Sequence, residues 1–204
     1  MKNIGVIGGT FDPIHFGHLI LAEQARDGAG LEKVIFMPAK MSPYKINRQC
    51  ASEQHRYKMI ALAIDGNEGF EVSDMELCGS EISYTIHTLE ALQNQLGKEY
   101  QLHFICGTDA FLGMGGWRKI DELLRKFPLI IGARPRYKDK SRDELIRHFE
   151  AEYGARIQTV HMPKIDISSS DIKQRIRERR SIRYLLPEKV ADYIESNNLY
   201  FEYT

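Results

Sequence analysis

Cysteine, tryptophan, net charge and long apolar runs are all scarce in this 204-residue sequence. Each scarcity excludes something. The three cysteines, Cys50, Cys78 and Cys106, form no Cys-x-x-Cys pair, and an odd number cannot fully pair within one chain. That argues against a disulfide scaffold and for a reducing compartment. Lysine plus arginine number 28 and aspartate plus glutamate 28, so the formal net charge is zero. Bulk electrostatic binding to nucleic acid or to an anionic membrane is therefore not expected, while a local basic pocket for a small phosphorylated ligand is not excluded. No stretch approaches the roughly eighteen uninterrupted apolar residues of a membrane span. The first apolar run is short and broken by Gly8 and Gly9, unlike a signal peptide. A soluble cytoplasmic protein is the expectation.

What remains is ordinary globular usage, 43% hydrophobic and 27% charged residues. At about 150 residues per domain, one domain over 1–204 is expected. Short apolar runs alternate with longer amphipathic ones. Residues 2–7, 33–37, 101–106, 128–133 and 157–161 read as buried strands, with 69–73 a weaker sixth. Helical patterns occupy about 17–28, 53–64, 84–96, 119–127 and 142–153. In the third, Ile86, Leu89, Leu92 and Leu96 recur at helical spacing, and Gly97 follows as a cap. The alternation predicts an α/β fold with a mostly parallel sheet. Residues 168–204 carry two helical patterns and no strand, a small C-terminal helical segment. Residues 134–143 read as a polar surface loop. Ligands of parallel sheets bind beyond the carboxyl ends of the strands, which directs attention to 8–18, 38–47, 106–118, 134–136 and 162–173.

The first of these segments reads Gly8-Gly9-Thr10-Phe11-Asp12-Pro13-Ile14-His15-Phe16-Gly17-His18. It follows a strand and enters a helix. The glycines let the backbone approach a ligand, and amides at a helix start form an anion site. It is neither a Walker A loop nor a Gly-x-Gly-x-x-Gly fingerprint. Two histidines three apart on a first helical turn project from one face, with Gly17 leaving room between them. Protonated or donating imidazoles there can stabilise charge developing on phosphorus. The alternatives are a glycine-rich turn with two half-buried histidines, or a metal site, for which no third ligand cluster stands out. No metal-ligating residues are therefore assigned.

This loop resembles the nucleotidyltransferase superfamily marked by His-x-Gly-His, and within it the bacterial nicotinate-nucleotide adenylyltransferases. A second stretch, Ile167-Ser168-Ser169-Ser170-Asp171-Ile172-Lys173, resembles the superfamily's Ile-Ser-Ser-Thr-x-Ile-Arg signature, with Ser170 in place of threonine and Lys173 in place of arginine. The matching runs from about residue 2 to residue 200. It implies a Rossmann-like nucleotidyltransferase fold with helices on both faces of the sheet. The implied activity belongs to NAD biosynthesis: ATP and nicotinate mononucleotide give nicotinate adenine dinucleotide and pyrophosphate by direct in-line transfer. Another branch of the superfamily, such as phosphopantetheine adenylyltransferase, and a nucleotide-binding regulator without catalysis are the rival readings.

The resemblance also assigns roles. His15 and His18 are the catalytic pair, His18 on the α-phosphate. Gly8, Gly9, Thr10, Gly107, Asp109, Ser168, Ser169, Ser170 and Lys173 bind ATP, with Asp109 suited to ribose hydroxyls. Tyr84, Thr85, Trp117, Lys45 and Arg134 bind nicotinate mononucleotide, with Trp117 stacked on the pyridine ring. Glycines stand just before Trp117, and Tyr44 stands where the family has histidine, so only Lys45 carries over from that loop. Mg²⁺ arrives with ATP, since no acidic cage is visible. The sequence leaves open whether the chain forms a homo-oligomer.

Overall fold

The computed structural model describes residues 2–40, 50–78, 84–133 and 140–201. Six strands form one sheet: β1 (Lys2–Gly9), β2 (Lys33–Pro38), β3 (Phe70–Val72), β4 (Tyr100–Gly107), β5 (Leu129–Ala133) and β6 (Ile157–His161). All neighbours are parallel, in the order β3-β2-β1-β4-β5-β6. The connecting helices are α1 (Phe16–Gly28), α2 (Glu53–Ile64), α3 (Thr85–Leu96), α4 (Thr108–Leu112), α5 (Ile120–Lys126) and α6 (Lys140–Tyr153). Helices α7 (Ser169–Arg177) and α8 (Glu188–Ser196) follow the last strand. The expected Rossmann-like α/β architecture is present, with helices on both faces.

Two cores flank the sheet because strand side chains alternate between faces. Ile7 of β1, Ile105 of β4 and Ile130 of β5 face α1, α2, α7 and α8, meeting Leu21, Met59, Ile172 and Val190. Ile4, Val6, Leu102, Phe104 and Ile131 face α3 to α6, meeting Leu89, Phe111, Leu124 and Phe149. Close helix packing requires a glycine at one point of the sheet. A Cβ on Gly132 would collide with the Leu21 side chain of α1.

The strand and helix limits expected from periodicity agree with these bounds to within a few residues. Two differences are informative. Residues 108–116 form α4 and a 3₁₀ turn (Met114–Gly116), anchored by the fully buried Phe111 and Met114. The glycines before Trp117 thus belong to an ordered turn, in which the Trp117 amide donates to the Met114 carbonyl at 2.9 Å. The polar run expected to be a loop to residue 143 instead enters α6 at Lys140. Charged residues there form the solvent face of a helix that buries Phe149.

Strand order reverses between β1 and β4, so their carboxyl ends, at Gly9 and Gly107, open a crevice. No helix among the described residues is long and apolar enough to cross a membrane.

Candidate active site

The crevice is a cleft of about 960 Å³. Its lining includes Gly8, Gly9, Thr10, His15 and His18 from the first loop, Gly107 and Asp109 after β4, and Ser168, Ser169 and Ser170 at the start of α7. Thr85 and Trp117 join them from the far side. Segments separated by up to 162 residues, Gly8 to Ser170, are thus brought to one cleft, because all follow strands of one parallel sheet.

The histidines owe their geometry to helix capping. His15 is the N-cap of α1, where the first amides lack intrahelical partners. Its Nδ1 accepts from the Gly17 amide at 3.1 Å, and its own amide donates to Nδ1 of His18 at 3.3 Å. This is a capping box built of imidazoles instead of Ser and Glu. With both Nδ1 atoms accepting, each neutral ring carries its proton on Nε2. His15 is buried, and burial pushes its pKa down to about 4. It is therefore neutral at physiological pH, a donor through N–H and not an imidazolium. Gly17 lines the cleft, and its lack of a side chain also makes room for a neighbouring ring. The space over it holds the His15 ring, which a Cβ at residue 17 would meet at 3.0 Å.

The start of α7 is a second donor site. Ser168 is the N-cap, its Oγ accepting from the Asp171 amide at 3.1 Å. Ser169 donates its hydroxyl to the Pro13 carbonyl at 2.9 Å, which ties the two signature segments together. Thr108 similarly donates to the Gly132 carbonyl at 2.9 Å, fixing the turn that carries Asp109. Asp109 is exposed to the cleft, in the first turn of α4. Gly107 has open space where a Cβ would stand, which suits close approach by a ligand.

On the opposite wall Trp117 leans edge-on against Phe104, with centroids 5.8 Å apart. Tyr84 is the N-cap of α3 and lies under the Arg118 guanidinium, 4.8 Å from its ring centroid. It is Thr85, not Tyr84, whose side chain position reaches the cleft lining. Lys45 and Arg134 lie outside the described residues. Arg142 belongs to no motif in the sequence. Its side chain is 13% exposed, it stands in the first turn of α6, and it is the one lysine or arginine lining the cleft among the described residues. It stands where the polar run to residue 143 overlaps the helical pattern over 142–153.

Lys173 is not brought to the cleft. Its ammonium lies 2.8 Å from the buried Asp12 carboxylate and over the Tyr200 ring. The charge that the resemblance assigned to ATP is here engaged by protein. Arg175 forms an i,i+4 pair with Asp171, an ordinary helix-surface contact. Among the described residues no group of three or more histidines, cysteines or carboxylates could hold a metal ion. Cys106 lines the cleft, and burial pushes its thiol up to about 12, so it is no thiolate nucleophile.

Comparison with known proteins bears on the family and the fold. A family model for cytidylyltransferase-like proteins matches residues 6–175. A protein of Thermoanaerobacter sp. (strain X514) named "Probable nicotinate-nucleotide adenylyltransferase" is 42% identical over 197 residues, 97% of this chain and 93% of that one. A protein of Carboxydothermus hydrogenoformans with the same name is 43% identical over 197 residues, 97% of each. The solved structure of Plasmodium falciparum nicotinic acid mononucleotide adenylyltransferase complexed with NaAD superimposes with a TM-score of 0.79 over 98% of both chains. Its sequence identity is 20%, so that likeness speaks for the fold.

Proposed function

The chain belongs to the cytidylyltransferase-like family, and on that premise we propose that it is a nicotinate-nucleotide adenylyltransferase of NAD biosynthesis. The 5′-phosphate of nicotinate mononucleotide attacks the α-phosphorus of ATP in line. A new P–O bond forms as the bond to the β-phosphate oxygen breaks, giving nicotinate adenine dinucleotide and pyrophosphate. Both reactants bring their own nucleophile and leaving group. The protein's part is to position them and to stabilise charge on the equatorial oxygens.

One observation carries this reading: two stacked imidazoles with Nε2–H donors open a helix in the same cleft as a second helix start and a tryptophan. His18 donates to the α-phosphate in the transition state, and His15 supports the neighbouring phosphates. The loop Gly8-Gly9-Thr10 and the amides at the start of α7, with Ser168, Ser169 and Ser170, receive the departing pyrophosphate. Gly107 and Asp109 take the adenosine, the carboxylate accepting from ribose hydroxyls. Trp117 stacks on the pyridine ring, with Thr85 and the start of α3 toward the nicotinate carboxylate. Arg142, whose Nε and one terminal nitrogen donate to Asp143, brings positive charge to the α6 side of the cleft. Mg²⁺ would be supplied with ATP and would offset the charge on its phosphates. The reaction is read as cytoplasmic, carried out by a single nucleotidyltransferase domain that engages no nucleic acid.

The test is pyrophosphate release on mixing the protein with MgATP and nicotinate mononucleotide. Release with phosphopantetheine in place of the mononucleotide would move the chain to another branch of the superfamily. No release with any phosphate acceptor, despite nucleotide binding, would leave a regulator without catalysis.

A further inference from the structure

Behind the histidine turn lies a buried polar cluster that does not line the cleft. Its centre is the carboxylate of Asp12, 4% exposed. Oδ1 accepts from the Ala51 amide at 3.0 Å and from the Tyr200 phenol at 2.6 Å, while Oδ2 accepts from the Lys173 ammonium at 2.8 Å. The partners come from the entry to α2, from the stretch beyond α8, and from α7. Beside it Arg56, 2% exposed, donates to the carbonyls of Thr10, Ala39, Lys40 and Ala51 at 2.7 to 3.2 Å. A carboxylate so buried and so bonded cannot move without leaving a charge unpaired.

The segment it holds is strained. Phe11 has φ 49°, a region that a bulky residue keeps only when its surroundings over-determine it. In that conformation the Phe11 ring meets His18 edge-on, with centroids 5.0 Å apart. On the other side of Asp12, the Pro13 carbonyl receives the Ser169 hydroxyl. Asp12 therefore sits between the residue that braces one imidazole and the residue that ties down the start of α7. The chain beyond α7 takes a second grip: the Leu185 carbonyl accepts at 3.1 Å from the amide of Phe16, between the two histidines.

We propose that Asp12 and Tyr200 are positioning residues for adenylyl transfer: the stretch beyond α8 reaches back through the Tyr200 phenol to Asp12 and so sets both the histidine turn and the serine turn against the phosphates. The inference rests on the activity given above. Tyr200 stays protonated and donates to Asp12, because burial and the adjacent carboxylate raise its pKa well above the ordinary tyrosine value. Lys173 serves the same cluster, which accounts for a basic residue in the second signature that does not face the cleft.

Tyr200→Phe removes one donor and keeps the ring. The expected result is a fall in kcat of about tenfold, the rate equivalent of one charge-assisted bond, with KM for either substrate unchanged. In the ligand-free protein the ¹H–¹⁵N resonances of the His15 and His18 imidazoles should shift with this substitution. Tyr193→Phe is the control: it removes the 2.9 Å contact between Tyr193 and His55 that joins α8 to α2, without touching Asp12, and should keep wild-type kcat. Wild-type kcat in folded Tyr200→Phe overturns the proposal. So does lowered thermal stability with unmoved imidazole resonances, or an equal loss of kcat in Tyr193→Phe. The spectra need no substrate. Failure of the wild type to convert nicotinate mononucleotide would thus sink the activity while the positioning is still measured.

Discussion

His15 and His18 cap each other and stack, ring centroids 3.8 Å apart and planes 28° from parallel. Neither ring can turn without breaking a bond to the other or to the first turn of α1. The pair is preorganised before substrate arrives, the condition under which a donor is most effective against developing charge.

Replacing His18 by Ala should lower kcat by about a hundredfold or more, the loss of one preorganised donor being worth roughly 3 kcal/mol. The substitution also removes an acceptor for the His15 amide, so circular dichroism and thermal unfolding must show a folded variant. Near-wild-type turnover in that variant would remove His18 from the chemistry.

His15 links the site to pH. Its folded pKa, about 4, lies below the ordinary 6.5 that it regains on unfolding. Between those values the unfolded chain binds more protons than the folded one, so stability falls as pH drops from 6.5 toward 4. The full effect is roughly 3 kcal/mol. Denaturant midpoints at pH 7.5, 6 and 5 should show a slope that is shallower in His15→Asn, whose side-chain oxygen can keep the cap. Parallel slopes for the two proteins would contradict the buried neutral imidazole.

Lys173→Ala should act first on stability. It leaves Asp12 buried without its cation, and breaking one side of a buried pair costs about 3 to 5 kcal/mol. Lys173→Arg should be tolerated, because a guanidinium can still reach the carboxylate. A stable Lys173→Ala protein with a raised KM for ATP alone would return this lysine to the phosphate site.

Trp117→Ala should raise KM for nicotinate mononucleotide by about tenfold or more, as expected for losing one ring-on-ring stack of about 1 to 3 kcal/mol. Its contact with Phe104 is at one edge, so most of the cost should appear in binding and little in the melting temperature. An unchanged KM would place the pyridine ring elsewhere in the cleft.

Strand and helix order was legible because a parallel sheet buried on both faces writes itself as apolar runs, and its helices as residues three and four apart. The site was legible where chemistry needs particular residue types at fixed local spacing, as in Gly8 to His18 and Ile167 to Ser170. The 3₁₀ turn before Trp117 was not, since three glycines carry no periodicity and the burial of Met114 holds the turn from below. Arg142 escaped because the helical pattern it opens lies outside both signature segments, and nothing in its local spacing aims it at the cleft.

The sequence by itself determined the fold class, through local periodicity, and the two signature segments and the family, through their resemblance to known motifs. Only the tertiary structure decided the protonation of His15, the occupant of the space over Gly17 and the partner of Lys173. These depend on burial and on contacts between segments as far apart as Asp12 and Tyr200, 188 residues along the chain. A desolvated imidazole loses its charge and a desolvated carboxylate demands a partner, but neither desolvation exists until the sheet has brought those segments together.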